Sequence, residues 1–460
     1  MAKNPFQQLD VLRNVSLNGG KVTDCYRLMY KKELWIKAYQ KLYFNKENHL
    51  HNESCEPIID DIIKSLQLGS FRFSPTQKSL QKDKLMQEGI SIILKAIYHP
   101  IFSKHSYGWQ KRWNRHTVLL HVKTSWQPLS WYLVGELQPL DTQTNHSLLL
   151  QFLSNKINDR RFLLLIHNAL KCGVMKREPL YKKHSNKESF PTLLMNIYLH
   201  EFDQFIDHQI KYSVNEIKKT TQSPERLTNK ASTRNNYTSQ LENNNQIKET
   251  QAKIKYIRYL NHFVIGLAGN KEEASWFKEQ VESFLHLKLA VELNKTNWLL
   301  SDLEKPIPFL GYELRKVKRK YSKYQADEST MRIEIPFKVI KDFARKNNYG
   351  DIDDLTATTR TRLLNHSEES ILMTYNRELG RIANDYKWAD NYSCLNRLFY
   401  LAERSFIQTL ANKRKSTKRK VLVSLRTYRQ GGLYLLHNDP HNRGKVSRFI
   451  QLKDLPRYNH

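Results

Sequence analysis

Two short runs of β-branched and aromatic residues, Ile254–Tyr259 and Phe263–Leu267, flank a polar tip at Asn261 and His262. So short a connection between two strand-forming runs leaves room only for a β-hairpin. A third run, Trp-Tyr-Leu-Val-Gly-Glu-Leu at 131–137, predicts a buried strand. Around these strands the apolar residues recur at helical spacing. Helices are predicted over 24–47, 56–68, 83–99, 148–172, 192–210 and 271–288, the third of them stopped by Pro100. A short strand is expected at Phe309–Leu314, then helices over 336–347, 367–389 and 393–413. Ser367 followed by Glu368 and Glu369 reads as a helix start, where anions are favoured. This arrangement predicts an α+β fold.

Charge narrows the function. The chain has 460 residues and a formal net charge of +30, a surplus spread along its whole length. Such a field calls for a polyanionic partner, nucleic acid first and an anionic membrane surface second. No apolar run approaches the ~20 residues that a membrane span needs, so no membrane partner is expected. With 40% hydrophobic and 11% aromatic residues, the chain can build cores and is not a disordered polycation. The four cysteines, Cys25, Cys55, Cys172 and Cys394, form no CxxC pair, which predicts neither a zinc site nor a disulfide framework. Met1 to Asp10 show no signal core or transit pattern, so the protein is expected to work where it is made.

The domain reading is a region 20–130, a sheet-containing region 131–314, a basic linker region 315–366 and a helical region 367–460. Residues 213–252, rich in Asn, Thr, Lys and Gln, predict a surface loop or a disordered insertion. Three basic stretches interleaved with or next to aromatics are candidate nucleic-acid contacts, and RNA-binding sites if the resemblance described next holds. The first holds Lys111, Arg112 and Arg115 beside Trp109 and Trp113. The second holds Arg315, Lys316, Lys318, Arg319 and Lys320 beside Tyr321 and Tyr324. The third, at a predicted helix end, holds Lys413, Arg414, Lys415, Lys418, Arg419 and Lys420. Folded RNA is held through phosphates, shape and stacking, which these residue types supply.

Ten fragments in order resemble the reverse transcriptase/maturase proteins encoded in group II introns. Tyr26-Arg27-Leu28, Glu33-Leu34-Trp35 and Ala38-Tyr39 are similar to that family's N-terminal helix, and Asp83 to Phe102 to its fingers pattern. Ser106-Tyr107-Gly108-Trp109 and His116-Thr117 follow. Trp131 to Gly135, His146, Pro191 to Asp203, Tyr256 to Gly266 and Phe309-Leu310-Gly311-Tyr312 resemble its palm. Tyr375-Asn376, Gly380, Asn384, Tyr386 and Ala389, then Thr409-Leu410-Ala411 and Lys413, resemble its maturase domain, often called domain X. The resemblance implies a right-hand-like fingers and palm followed by an all-helical thumb and domain X.

It also implies losses. The family places metal-binding carboxylates on the first palm strand and at the hairpin tip, where this chain has Glu136, Asn261 and His262. The fingers segment that holds a nucleotide triphosphate is missing between Pro75 and Asp83, and Lys183 to Phe190 replace a glycine-rich loop. Two-metal polymerisation needs those carboxylates. The expectation is therefore no catalytic residues, no metal and no cofactor. The implied function is a maturase that binds its host group II intron RNA and assists its folding and splicing. The alternatives are an active RNA-directed DNA polymerase of a mobile intron and a general RNA-binding protein. A homodimer stays open. Abundant Lys and Asn with scarce Gly, the mark of an AT-rich genome, favours an organelle, the plastid ahead of the mitochondrion or a bacterial cytoplasm. His437, Asn438, Asp439, His441 and Asn442 read as a polar turn around Pro440.

Overall fold

The computed structural model describes residues 5–43, 56–74, 81–108, 113–126, 129–137, 143–177, 189–222, 254–291, 293, 298–319, 328–425, 432–436 and 446–457. They fall into two compact units, one drawn from Met1–Val118 and Leu129–Leu300, the other from Leu119–Pro128 and Ser301–His460. The sheet-to-linker change expected near Arg315 thus lies inside the second unit, and the division falls at Leu300.

The first unit is built from helices α1 (Pro5–Leu17), α2 (Cys25–Leu28), α3 (Lys32–Tyr43), α4 (Glu56–Gln67) and α5 (Gln81–Tyr98), then strand β1 (Ser106–Tyr107) and the start of α6 (Arg115–Ser125). Strand β2 (Trp131–Glu136) and helices α7 (Gln143–Lys156), α8 (Arg160–Lys171), α9 (Val174–Arg177) and α10 (Phe190–Gln222) follow. The hairpin β3 (Ile254–Tyr259) and β4 (His262–Leu267), helix α11 (Lys271–Leu289) and strand β5 (Leu299–Ser301) complete it. The sheet order is β1-β3-β4-β2-β5. Strand β4 pairs antiparallel with both β3 and β2, in registers that set His262 opposite Tyr259 on one side and Glu136 on the other. Its apolar side chains Phe263, Val264 and Ile265 are all buried, as expected for a central strand covered on both faces. Gly135 is required there: a Cβ would collide with the ring of Phe263 and reach 3.0 Å from Trp298.

Several predicted elements differ in extent. The helix expected over 24–47 divides into α2 and α3 because the chain turns at Met29, whose carbonyl accepts from Trp35 Nε1 at 2.7 Å. The helix expected over 148–172 is two, α7 and α8. Ile157 leaves the first to bridge Val22, and Asp159 caps the second by accepting from the Phe162 amide at 3.1 Å. Apolar periodicity continues across such a break and hides it. Helix α10 runs on to Gln222, so residues 213–222 of the expected insertion are helical. Residues 223–252 lie outside the described residues.

The second unit carries strands β6 (Ile307–Phe309), β7 (Tyr312–Arg319) and β8 (Glu328–Glu334), which form a three-stranded antiparallel sheet. Helices α12 (Phe337–Lys346), α13 (Glu368–Asp385), α14 (Leu395–Lys413) and α15 (Lys418–Leu425) build the rest, with strand pairs β9 (Gly350–Asp351) and β10 (Thr356–Ala357), and β11 (Tyr434–Leu436) and β12 (Val446–Arg448). The strand expected at Phe309–Leu314 is a turn between two strands: Leu310 and Gly311 have φ of 52° and 82°, the left-handed pair that a two-residue hairpin connection favours. The all-helical expectation beyond residue 315 is corrected in the same place. The basic run lies on β7, where buried Leu314 meets Ile333 and Lys316 meets buried Met331. High charge density obscured the period-two pattern of the strand. Ser367 caps α13 as expected, accepting from the Ser370 amide at 3.2 Å.

Candidate RNA interface and hairpin site

The hairpin tip is fixed from below by a buried cation. Arg258, on β3, has no solvent exposure, an arrangement that is costly unless every donor is matched. Its Nε donates to Asp203 Oδ1 at 2.8 Å and its Nη2 to Asp203 Oδ2 at 2.6 Å. Nη2 also donates to Ser106 Oγ at 2.6 Å, and Nη1 to Asn196 Oδ1 at 3.0 Å and to the Leu260 carbonyl at 2.7 Å. Tyr256, two residues back on the same face of β3, donates its hydroxyl to Asp203 Oδ1 at 2.7 Å. Burial opposes the guanidinium charge, but Asp203 outweighs it and holds the Arg258 pKa above its ordinary value. The same burial, with Asp203 adding to it, drives the Tyr256 hydroxyl well above its usual range. Helix α10 therefore supplies Asn196 and Asp203 as a fixed anchor, and Arg258 transmits it to the turn, where Leu260 takes a φ of 57°.

At the tip itself, Asn261 is turned inward. Its Nδ2 donates to the Leu137 carbonyl at 2.9 Å, while its own carbonyl accepts from the Leu137 amide at 2.9 Å. His262 Nε2 lies 3.9 Å from Glu136 Oε1. Burial lowers the His262 pKa and Glu136 only partly restores it. The family resemblance implies a Mg²⁺ pair at this place, so the donor chemistry matters. Hard divalent cations need several carboxylate oxygens converging on one point, and two-metal phosphoryl chemistry needs two such points. Here one carboxylate, one imidazole and one neutral side-chain amide stand in their place. These residues do not fit a two-metal clamp. Among the described residues, no group of three or more His, Cys, Asp or Glu is placed to hold a metal ion.

The predicted basic stretches separate. Of the first, Lys111, Arg112 and Trp109 lie outside the described residues. Arg115 is brought beside Tyr259 of the hairpin, and Trp113 packs edge-on against Tyr107 with centroids 4.6 Å apart. Of the second, Lys320, Tyr321 and Tyr324 lie outside the described residues, as do the side chains of Lys318 and Arg319. Arg315 is exposed and 3.7 Å from Glu334, and Lys316 is half-buried on β7. The third divides in two. Lys413 donates to the Leu364 carbonyl at 2.8 Å, and Arg414 grips both oxygens of Glu368 at 2.7 and 2.6 Å. These two hold the end of α14 in place. Lys415, Lys418, Arg419 and Lys420 are exposed and make no side-chain ion pair among the described residues. Buried Val421 and Leu425 fix α15 beneath them.

Tyr375 and the apolar set Leu372, Leu379 and Ile382 are buried and pack α13, as their spacing predicts. Asn376 anchors a chain segment: its Nδ2 donates to the Arg448 carbonyl at 2.8 Å and its Oδ1 accepts from the Ile450 amide at 2.9 Å. Sequence reasoning missed Arg360. It donates to both oxygens of Glu378 at 2.8 and 3.0 Å and stacks on Tyr375 and Tyr349, with centroids at 4.8 and 5.4 Å. It also missed Arg258 and Asp203, because their pairing joins two elements far apart in sequence. The turn expected at His437 to Asn442 lies outside the described residues.

Residues 329–443 match the family described as type II intron maturase. The group II intron-encoded protein LtrA of Lactococcus lactis is 28% identical over 484 aligned positions, covering 90% of this chain and 79% of that protein. A 91 kDa protein in a cob intron of Schizosaccharomyces pombe is 28% identical, covering 67% of this chain and 44% of its own length. The mitochondrial nuclear intron maturase 3 of Arabidopsis thaliana is 25% identical across 55% of this chain and 36% of its own. The chain is thus similar to group II intron-encoded proteins over most of its length, and to the type II intron maturase family over residues 329–443. Its relatives named here are bacterial and mitochondrial, which gives the plastid preference read from composition no support. Among the described residues, no helix is long and apolar enough to cross a membrane.

Proposed function

We propose that this chain is a splicing maturase that binds the folded RNA of a group II intron and has no polymerase activity of its own. The observation that carries the reading is the corner of exposed cations at Lys415, Lys418, Arg419 and Lys420, which form no ion pair among the described residues and lie within the segment matching the maturase family. Close packing of phosphates opposes RNA folding, and fixed cations relieve it. A protein shifts that equilibrium only by binding the folded form more tightly than the unfolded one. In this reading the RNA performs the transesterifications and the protein supplies folding free energy. Regions 20–130 and 131–314 act as a fingers-like and palm-like scaffold, 315–366 as the connection to the RNA-binding part, and 367–460 as domain X.

The tip geometry supports the absence of polymerisation. Asn261 is committed to Leu137, and Glu136 is the carboxylate beside His262. Primer extension on a defined template tests this. Wild type and Glu136→Ala are expected to be equally silent, and template-dependent extension by wild type that Glu136→Ala abolishes would establish the polymerase reading instead. Splicing of the host intron at physiological Mg²⁺ and salt tests the maturase reading. Addition of the protein is expected to raise the spliced fraction, and an unchanged fraction contradicts the proposal.

A further inference from the structure

The first unit contains a cavity of about 220 Å³, remote in sequence from every basic stretch considered above. It opens among the end of α4, the segment that follows it, α2 and α8. Its lining includes Tyr26, Leu68, Arg72, Arg161, Leu164 and Asn168. Drug-sized ligands and large cofactors occupy clefts of about 300–1,000 Å³, so this space is too small for them. It suits one planar ring with a short polar attachment.

The walls are arranged for an anion beside a ring. Tyr26 is half-buried and held still: its hydroxyl donates to the Leu66 carbonyl at 2.9 Å, and its ring meets Tyr30 edge-on at 5.7 Å. The Arg161 guanidinium lies 5.9 Å from the Tyr26 ring centroid. The acid nearest in sequence, Asp159, is already committed to the backbone. Its Oδ2 accepts from the Tyr26 amide at 2.7 Å and its Oδ1 from the Phe162 amide at 3.1 Å. Arg161 forms no ion pair with an acidic side chain among the described residues.

Arg72 is held from one side only. Its Nη1 donates to the carbonyls of Gly69 and Phe71 at 3.1 and 2.8 Å, which leaves Nε and Nη2 without an acceptor among the described residues. Asn168 adds an amide that can both donate and accept. On the rim stand two apolar side chains that a closed fold would hide, Leu68 at 71% and Leu164 at 55% exposure.

We propose that this cavity is a subsite for a single unpaired RNA nucleotide, its base against the Tyr26 ring and its phosphate between Arg161 and Arg72. The inference rests on the reading of the chain as an RNA-binding maturase and adds a second, distinct contact to it. Unpaired bases stack on aromatic faces and guanidinium planes, while phosphates take the remaining donors. A base pair is too wide for the space, so duplex RNA is excluded. Two exposed cations that form no ion pair among the described residues favour a polyanion over a protein segment.

The test is equilibrium binding of the full chain to a short single-stranded RNA carrying one photoreactive thiouridine, and to the same RNA annealed to its complement. Arg161→Gln, Arg72→Gln and Tyr26→Leu are compared with a triple Lys418→Gln, Arg419→Gln, Lys420→Gln variant of the other unit. Arg161 and Arg72 are exposed, so their variants are expected to fold. Each arginine variant is expected to bind the single strand several-fold more weakly. Each should also reduce the slope of log K against log salt by roughly 0.7, the loss of one phosphate contact on a single strand. The crosslink should fall within residues 26 to 72 or 161 to 168. If the arginine variants bind like wild type while the triple variant binds more weakly, RNA binding stands and the subsite is refuted. If wild type binds no RNA, both readings fail together. If Arg161→Gln leaves RNA binding intact but abolishes self-association, the cavity is a protein contact and the inference is overturned.

Discussion

Arg258 and Asp203 form a doubly hydrogen-bonded ion pair with neither side chain exposed, and the same guanidinium holds the carbonyl of Leu260 in the hairpin turn. Removing one partner of such a pair leaves an uncompensated buried charge, which costs about 3–5 kcal/mol. Arg258→Met and Asp203→Asn are each expected to destabilise the first unit by that order in urea unfolding. The double variant should cost less than the sum of the two, because neither charge is then stranded. Additive losses would show that the pair does not act as a unit.

The packing at Gly135 gives a second expectation. A methyl group there would press on Phe263 and Trp298, and overpacking of a core costs roughly 1–3 kcal/mol. Gly135→Ala should unfold at lower urea concentration, and Gly135→Ala with Phe263→Leu should recover part of the loss. No recovery would place the cost elsewhere than at the Phe263 ring.

In the second unit, the paired hydrogen bonds from Arg360 to Glu378 need a planar fork, and the guanidinium face also covers Tyr375. Lysine keeps the charge and loses both features. Arg360→Lys is expected to cost about 1.5–3 kcal/mol, the range for a hydrogen bond to a charged group. Thermal unfolding of the full chain reads it, and a lysine variant as stable as wild type would contradict the assignment.

The buried His200 sets a pH dependence. Burial lowers its pKa, with Arg258 acting in the same direction against Asp203 and Asp207. The folded state therefore binds this proton less readily than the unfolded state, whose imidazole titrates near pH ~6.5. Stability from this group is full above that pH and declines as pH falls from it toward the lower folded-state value. His200→Gln should flatten the stability profile in that window. An unchanged profile would assign the acid sensitivity to other groups.

Much of this was legible in the sequence because it rests on local pattern. The hairpin at Ile254–Leu267, the strand at Trp131–Glu136 and the helices carrying Ile59, Ile62, Ile93 and Ile97 follow from side-chain periodicity. The breaks at Met29 and at Ile157 to Asp159 did not, because they depend on hydrogen bonds and a bridge to distant chain, Val22 among them. The basic stretches could be located but not sorted. Lys413 and Arg414 are spent on Leu364 and Glu368, while Lys418 to Lys420 are not, and only the fold separates them. Arg258 stayed hidden because its partners Asp203, Asn196 and Ser106 lie on other elements.

Purifying the chain from its native source and sequencing the RNA that accompanies it shows whether it binds one particular folded intron. The account predicts strong enrichment of unspliced RNA from one group II intron, reduced in a variant with Lys418, Arg419 and Lys420 changed to Gln. Recovery of bulk RNA with no bias toward an intron would contradict it and leave a general RNA-binding protein.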